Sequence, residues 1–231
     1  MIKLSGEFLQ GEGTGGVCWD TLGLLSRQIK GLAPRQIVLV LGGGNFFRGV
    51  QRYTSQGETL CSLATADTMG MLATLLNALA FSEALHKEGV PNRLFSAQPM
   101  ASIAEAYHPR QALRALQDGE VVLCAGGLGH GAMTTDTAAV VRACELECHM
   151  LLKGTSVQGV YSHDPKLHEE AVFYPTLSLQ DALDRRLRIM DLTALTLALE
   201  HKKPILIFSL RPPNALVHLV QGTHPYSLLT P

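Results

Sequence analysis

The sequence predicts an α/β protein in which helices cover both faces of a mainly parallel sheet. Short, nearly continuous apolar runs, such as residues 36–41 and 121–125, are typical of strands that are buried on both faces. These runs alternate along the chain with segments of helical periodicity, which is the pattern of βαβ units. Several runs end directly in glycine-rich loops, and open α/β sheets usually bind their ligands at that end of a strand.

Length and composition are those of an ordinary globular chain. With 231 residues, of which 46 % are hydrophobic and 17 % charged, the chain suits one large domain or two small ones. Because no repeat, low-complexity segment or linker divides it, we expect a single domain over residues 1–231. The formal net charge of −1 argues against nucleic acid or an anionic membrane as a partner.

The sequence also bears on location. The longest apolar runs fall well short of the ~20 residues that span a bilayer, and the amino-terminal residues lack the apolar segment of a signal peptide. We therefore expect a cytoplasmic protein without a membrane partner. Five cysteines without a C-x-x-C pair fit a reducing compartment. The spacing of Cys144 and Cys148, beside His149, could hold a metal, but buried helix cysteines are the favoured interpretation.

Six apolar segments are predicted to form the strands. Their residue ranges are 2–4, 36–41, 93–97, 121–125, 150–152 and 204–210. Most of them are rich in Val, Ile and Leu and are bounded by glycine, proline or polar residues, as strands usually are. Because helical segments separate them along the chain, they are expected to pair mainly in parallel.

Helical periodicity and terminal residues predict the helices. The ranges are 17–32, 67–89, 109–117, 134–148 and 214–221, with shorter helices after Ser178 and Asp191. The longest is expected to begin at Asp67, which could cap it, and to end at Gly89. Its leucines at positions 72, 75, 76 and 79 fall at i, i+3, i+4 and i+7, the spacing of one apolar face.

The loops after four strands carry the side chains that could do chemistry. In one parallel sheet these loops would emerge at the same edge and bring together three cations and three carboxylates: Lys3, Arg48, Lys153, Asp67, Asp136 and Asp164. Three consecutive glycines, residues 42–44, would allow positive φ angles and let backbone N–H groups approach an anion, although a plain tight turn is an equally good interpretation. The sequence contains no nucleophile–base motif and no metal-ligand spacing. Amides, lysines and one arginine suit a polyphosphate, so the residues predict a phosphate-handling enzyme.

Six motifs occur in order over nearly the whole chain. They are KLSGE at 3–7, GGGNFFRG at 42–49, DTMGMLAT at 67–74, TTDTAA at 134–139, GVYSHDP at 159–165 and MDLTA at 190–194. Together they resemble the bacterial uridylate kinases (UMP kinases), which have the amino-acid-kinase fold. The resemblance implies a three-layer α/β/α sandwich, a cytoplasmic homohexamer and, in pyrimidine nucleotide biosynthesis, in-line transfer of the γ-phosphoryl group of ATP to UMP. It also implies that residues 1–150 form mainly the nucleoside monophosphate side and residues 151–231 mainly the ATP side.

The resemblance assigns roles by position. Catalytic roles would fall to Lys3, Arg48, Asp136 and Lys153, with Asp136 orienting the lysines, which neutralise charge on the moving phosphoryl group. The UMP-binding residues would be Gly43, Asp67, Leu128, Gly129, His130, Gly131, Ala132, Met133, Thr134 and Thr135. The ATP-binding residues would be Lys3, Leu4, Ser5, Gly6, Gly44, Arg48, Thr155, Tyr161 and Asp164. Asp191 would brace the site as a helix cap, and Mg²⁺ would arrive with ATP rather than on protein side chains.

The chain departs from the family pattern before Thr134, where GGLGHGAMTTD replaces the usual GTGNPFFTTD. The loss of a proline and two aromatic rings removes rigidity and packing area, so UMP affinity and base selectivity are expected to differ. Ser82 and Glu120 occupy positions that are basic in members activated by GTP. A glutamate there would repel a triphosphate, so we expect weak or absent GTP activation. Feedback inhibition by UTP stays open.

Two other interpretations also stay open. One is a kinase of the same fold that acts on another small acid, which the MGMLAT motif at residues 69–74 disfavours. The other is a catalytically impaired nucleotide-binding or storage protein. The altered loop keeps this last interpretation open, whereas retention of charged residues that are costly to hold together argues against it.

Overall fold

A computed structural model describes residues 1–11, 15–47, 59–165 and 167–231. Within these ranges the chain forms two compact units. The amino-terminal unit is Leu4–Thr135, and the carboxyl-terminal unit combines Met1–Lys3 with Asp136–Pro231. Strand β1 (Ile2–Leu4) therefore leads the chain from one unit into the other. The expected single domain over residues 1–231 stays a prediction.

The amino-terminal unit contains helices packed on parallel strands. In chain order its elements are α1 (Gly6–Leu9), α2 (Trp19–Lys30), β2 (Val38–Leu41), α3 (Leu63–Lys87), β3 (Asn92–Ser96), β4 (Glu105–Ala106), α4 (Pro109–Gln117) and β5 (Val121–Ala125). The strand order is β4-β3-β5-β2, and every pair is parallel. All residues of β2 and β5 are buried, which explains their uninterrupted apolar sequences.

The carboxyl-terminal unit has a mixed sheet. Its elements are α5 (Thr135–Glu145), which starts at the boundary residue, β6 (Leu151–Thr155), β7 (Val160–Tyr161), β8 (Phe173–Tyr174), β9 (Thr176–Ser178), α6 (Leu179–Asp184), α7 (Leu192–Glu200), β10 (Ile205–Ser209), α8 (Ala215–Val220) and β11 (Tyr226–Thr230). Its strand order is β1-β6-β10-β11-β9. The β6–β10 and β11–β9 pairs are parallel, whereas β10–β11 is antiparallel. Strands β7 and β8 form a separate antiparallel pair.

The predicted strands are confirmed, most of them within two residues of their expected ends. Strand β6 continues to Thr155, so Lys153 lies inside the strand rather than after it. The five strands that were not predicted, β4, β7, β8, β9 and β11, are short or only partly buried. In β11 only Ser227 and Leu229 are buried, so no continuous apolar run marks the strand.

Helix α3 corrects two expectations. It begins at Leu63 because the side chain of Ser62 caps it, accepting a hydrogen bond from the backbone N–H of Thr65 at 3.1 Å. Asp67 therefore lies in the second turn and not at the helix start. Of the four expected core leucines only Leu75 is buried, and the other three, at positions 72, 76 and 79, are 38–50 % exposed. The buried face instead carries small residues together with Phe81 and Leu85.

By length and composition alone, α3 could cross a membrane. It is the only such helix among the residues that the structure describes. The packing has the character of a core helix, because nearly half of the apolar segment is buried and α3 contacts α2, β3 and β5. A fully buried polar residue, Asn77, also lies on the inward face.

Candidate functional site

The amino-terminal unit contains a cavity of about 260 Å³ beside the amino-terminal half of α3. It is bordered by the glycine turn after β2, by α3 and by the segment that leads into α5. The predicted UMP-side and phosphate-side residues that line it are Gly43, Gly44, Asp67, His130, Met133, Thr134 and Thr135. Leu128, Gly129, Gly131 and Ala132 belong to the same loop but do not line the cavity. The cavity therefore gathers most of the residues that the resemblance assigned to UMP.

Two of the three glycines in the turn at residues 42–44 are required by close packing. None of its three residues has a positive φ, which corrects that part of the expectation. A Cβ atom on Gly43 would lie 2.7 Å from the Cβ of Ala73 and 2.8 Å from the carbonyl oxygen of Gly70, both on α3. A Cβ on Gly42 would lie 2.9 Å from the backbone nitrogen of Gly6. The turn is thus pressed against α3 and the start of α1, and Gly44 borders the cavity.

The second glycine loop uses glycine for its backbone conformation. Gly126, Gly127 and Gly129 all have positive φ angles, between 58° and 79°. The backbone N–H of Gly126 donates to the hydroxyl of Thr74 on α3 at 2.8 Å. The side chain of Gln98 donates to the carbonyl of Gly129. The start of this loop is therefore anchored to α3 and to the segment after β3.

Asp67 holds the far end of the same loop. Its Oδ2 accepts a hydrogen bond from the backbone N–H of Ala132 at 2.7 Å, and Ala132 has a φ of 64°. A Cβ on Gly131 would lie 2.6 Å from that same oxygen, so the loop can approach Asp67 this closely only with glycine there. The sequence did not predict this contact.

The carboxyl-terminal unit contains a buried cluster of two lysines and one carboxylate. Lys3 on β1 places its Nζ 2.8 Å from Oδ1 of Asp136, and Lys153 on β6 places its Nζ 2.6 Å from Oδ2. The three side chains are only 8–13 % exposed. Lys153 also donates to the carbonyl oxygen of Ile189 at 2.6 Å. These three side chains alone carry one more positive than negative charge, which suits a phosphate.

The cluster shifts the acid–base properties of its members. Burial alone would raise the pKa of Asp136, but the charges and hydrogen bonds of Lys3 and Lys153 outweigh that effect and lower it. Burial lowers the pKa of Lys153, and the Asp136 carboxylate opposes that shift. Asp136 is therefore an ionised, weakly basic group at neutral pH, suited to orienting the lysines.

Asp191 braces the same unit. Its Oδ1 caps α7 by accepting the backbone N–H of Ala194 at 2.9 Å, and the hydroxyl of Thr137 on α5 donates to it at 2.8 Å. The sequence did not single out Thr137, although its position directly after Asp136 is a signal that could have. The Thr137–Asp191 bond therefore connects α5, which carries Asp136, to α7, which begins shortly after Ile189.

The remaining predicted ATP-side residues are spread over both units. In the amino-terminal unit, Leu4 accepts the N–H of Gly42 at 2.8 Å, and a Cβ on Gly6 would lie 2.6 Å from the nitrogen of Gly44, with Ser5 between them in the chain. In the carboxyl-terminal unit, the hydroxyl of Thr155 donates to the carbonyl of Val157 at 2.7 Å. The Tyr161 ring lies 5.3 Å from that of Phe173, and the Asp164 carbonyl accepts the backbone N–H of Leu167 at 3.0 Å. Arg48 lies outside the described residues.

A mainly parallel sheet with flanking helices defines an α/β protein. The glycine turn beside a cavity in one unit and the lysine cluster in the other each suit a phosphorylated ligand. The model of the amino acid kinase family matches residues 1–209, and the chain belongs to that family. The predicted α/β fold class is thereby confirmed, and two solved structures extend the agreement to the whole chain.

The crystal structure of UMP kinase from Ureaplasma parvum matches with a TM-score of 0.93 at 31 % identity, covering 100 % of this chain and 97 % of that one. UMP kinase from Bacillus anthracis gives 0.93 at 28 % identity, covering 99 % and 94 %. Among curated relatives, uridylate kinase from Wolbachia pipientis wMel is 43 % identical over 232 residues, covering 100 % of this chain and 92 % of the relative. Uridylate kinase from Psychrobacter cryohalolentis is 43 % identical over 225 residues, covering 96 % and 92 %.

Replacing the carboxylate of the cluster is expected to produce a pH-dependent loss of stability. Asp136→Asn should lower the free energy of unfolding at pH 7 by about 3–5 kcal/mol, because two buried ammonium groups lose their counter-charge. Since the pKa of Asp136 is lowered on folding, its stabilisation is present above the unfolded-state value of about 3.9 and is lost as the pH falls through the folded-state value. Urea titrations between pH 7 and pH 3 measure this difference.

The control for this experiment is Asp184→Asn, which changes an exposed carboxylate that accepts a hydrogen bond from the side chain of Gln180 at 2.9 Å. It should change the free energy of unfolding by no more than about 0.5 kcal/mol at any of these pH values. A penalty for Asp136→Asn that stays constant as the medium becomes acidic would contradict the described role of the cluster.

Proposed function

We propose that this protein transfers the γ-phosphoryl group of ATP to UMP and releases UDP. The observation that carries the proposal is the buried Lys3–Asp136–Lys153 cluster in a chain that is 43 % identical to proteins named uridylate kinase over its full length. Two lysines around one carboxylate are costly to bury, so their retention disfavours a catalytically impaired nucleotide-binding or storage protein. The whole-chain match also disfavours a kinase for another small acid.

In the proposed mechanism, the protein acts by positioning and charge neutralisation. Phosphoryl transfer spreads negative charge over the equatorial oxygens of the moving group, and fixed cations stabilise that charge. Lys3 and Lys153 supply the cations, with Arg48 as a third from the glycine segment. Asp136 holds both ammonium groups in place. No strong base is needed, because the phosphate of UMP is already ionised when it attacks.

The cavity of the amino-terminal unit is the proposed UMP site. Gly43 and Gly44 present the turn after β2 to the phosphate, and the amino end of α5 at Thr135, with the hydroxyl of Thr134, offers further donors. Asp67 is proposed to accept from the ribose while it also holds the loop through Ala132. His130 and Met133 line the cavity, so they are the side chains placed to contact the base. Leu128, Gly129 and Gly131 shape the loop around them.

ATP is proposed to bind through residues 3–6, Thr155, Tyr161 and Asp164, and it brings Mg²⁺ as part of the substrate. The contacts of Asp136 agree with a metal that is held by the substrate rather than by the protein. Both carboxylate oxygens of Asp136 are engaged by lysine ammonium groups, so the cluster offers cations to the phosphates rather than a direct ligand to the metal. Mg²⁺ commonly retains water and binds substrate phosphates, and it would neutralise charge there.

Regulation by GTP is proposed to be weak. Arg93, a basic position that the resemblance matches to members activated by GTP, places its Nε 3.1 Å from Glu120 and 3.5 Å from Glu105. Ser82 donates to Asn92. A basic residue that is already neutralised by two carboxylates attracts a triphosphate poorly. From the resemblance we also propose that UTP inhibits the protein. The same resemblance supports a role in pyrimidine nucleotide biosynthesis and a cytoplasmic location.

The exposed face of α3 supports the proposal of a homohexamer. Met69, Leu72, Leu76 and Leu79 are 38–50 % exposed and follow one another at helical spacing. An exposed apolar stripe of this kind marks a surface for association.

The proposed function is tested by measuring nucleoside diphosphate formation with Mg²⁺-ATP and each of UMP, CMP, dUMP, GMP and AMP. UMP should be the preferred acceptor. If turnover extends to other nucleotides, these should be pyrimidine nucleotides, and the loosened selectivity is then assigned to the altered loop that borders the cavity. Adding GTP should change the rate by less than the ~5-fold that marks the low end of allosteric coupling. ATP binding without turnover of any acceptor would overturn the kinase proposal in favour of nucleotide binding or storage.

The proposed assembly is tested by Leu76→Glu, which places a charge in the apolar stripe of α3. Sedimentation velocity should show hexamers for the unaltered chain and smaller species for the variant, because a charge cannot be buried there without a partner. Gln117→Glu adds the same charge on an exposed position of α4 and should leave the hexamer intact. A monomeric unaltered chain would exclude the proposed assembly.

A further inference from the structure

The inward face of α3 contacts both glycine loops of the amino-terminal unit. Gly70, Ala73, Thr74 and Asn77 follow one another at i, i+3, i+4 and i+7, so they form one stripe along the helix. Gly70 and Ala73 receive the turn at residues 42–44, and Thr74 accepts the N–H of Gly126 at the start of the second loop. The stripe contains two polar side chains, and both hydrogen-bond to a loop.

Asn77 forms a reciprocal pair with Asn45, the residue that directly follows the glycine turn. The Nδ2 of Asn45 donates to Oδ1 of Asn77 at 2.8 Å, and the Nδ2 of Asn77 donates to Oδ1 of Asn45 at 2.7 Å. Each side-chain amide donates its second N–H to a backbone carbonyl. Asn77 donates to the carbonyl of Gly42, and Asn45 donates to the carbonyl of Gly16, both at 2.6 Å. The pair therefore uses all four of its N–H donors.

Burial makes this pair informative. Asn77 is fully buried and Asn45 is 7 % exposed. An apolar pair of the same volume could fill the space without any demand on hydrogen-bond geometry, and buried amides are costly when one partner is lost. The amide hydrogen bonds are directional, so they fix the orientation of the turn relative to α3 at both ends of the turn. Asn77 on α3 hydrogen-bonds to the carbonyl of Gly42 at one end of the turn and to the side chain of Asn45 at the other.

We propose that Asn45 and Asn77 are positioning residues that hold the 42–44 turn in the geometry needed to bind nucleotide phosphate. The proposal deepens the kinase function and rests on it. Gly43 and Gly44 border the cavity, whereas the amide pair lies behind them and acts through them. Displacement of a positioned group by about 1 Å can cost roughly a hundredfold in rate, so loss of the pair should reduce turnover without removing any group that contacts substrate.

The test variant is Asn77→Leu, which keeps the number and branching of the side-chain heavy atoms and removes the side-chain hydrogen bonds of Asn77. The matched control is Leu85→Ala, a fully buried position on the same helix and away from the glycine turn, which lowers stability by leaving a cavity. Both are assayed with Mg²⁺-ATP and UMP well below their melting temperatures. Asn77→Leu should lower kcat by about ten- to a hundredfold with a smaller rise in the KM for UMP. Leu85→Ala should keep both constants within about threefold of the unaltered enzyme.

Hydrogen exchange gives a second measurement that does not depend on catalysis. The N–H groups of Phe46 and Phe47 both donate to the carbonyl of Gly43, so they report on whether the turn is intact. Exchange in the peptide that spans residues 42–47 should be at least about tenfold faster in Asn77→Leu and unchanged in Leu85→Ala. Unchanged exchange in Asn77→Leu would overturn the positioning role. So would a kcat for Asn77→Leu within about threefold of the unaltered enzyme, as expected for Leu85→Ala. An unaltered chain that does not phosphorylate UMP would instead contradict the kinase function and leave the exchange result to decide the role of the pair.

Discussion

Two buried lysines that share one buried carboxylate impose the constraint on which the carboxyl-terminal unit depends. An ammonium group taken out of water costs several kcal/mol unless a counter-charge and hydrogen bonds replace the lost hydration. Asp136 meets this need for Lys3 and Lys153 at once by giving one oxygen to each. The arrangement requires β1 beside β6 and a helix whose first turn carries the carboxylate. The sheet order and the start of α5 are therefore tied to the chemistry.

The amino-terminal unit depends on close packing rather than on charge. Helix α3 carries small residues where the turn after β2 touches it, and that turn has glycine where any Cβ would collide with the helix. Farther along the helix, the same face offers a hydroxyl and an amide to the two glycine loops. A rigid helix thus sets the shape of a cavity whose walls are mostly loop, which is how a site can be both precise and built from irregular backbone.

The sequence predicts six strands, because four of them, β1, β2, β5 and β10, are buried throughout and therefore have continuous apolar sequences. It misses the five short or partly buried strands, which have no such run. It predicts the wrong face of α3 because both faces are apolar. Periodicity alone cannot show whether the leucines or the small residues pack inward. The Asn45–Asn77 pair joins residues 32 positions apart, and no local pattern announces such a contact. Likewise, the Asp67–Ala132 bond depends on a loop whose sequence departs from the family pattern.

The most direct test of the central claim, that buried lysines stabilise the transferred phosphoryl group, is single-turnover phosphoryl transfer by Lys153→Met at saturating ATP and UMP. This variant keeps most of the side-chain volume and removes the charge. The rate should fall about 10²–10³-fold, as expected for the loss of one preorganised charge-stabilising group, while UMP affinity stays within about threefold. Lys87→Met, at a largely exposed lysine on α3, should leave the rate unchanged. Equal single-turnover rates for the two variants would contradict the account.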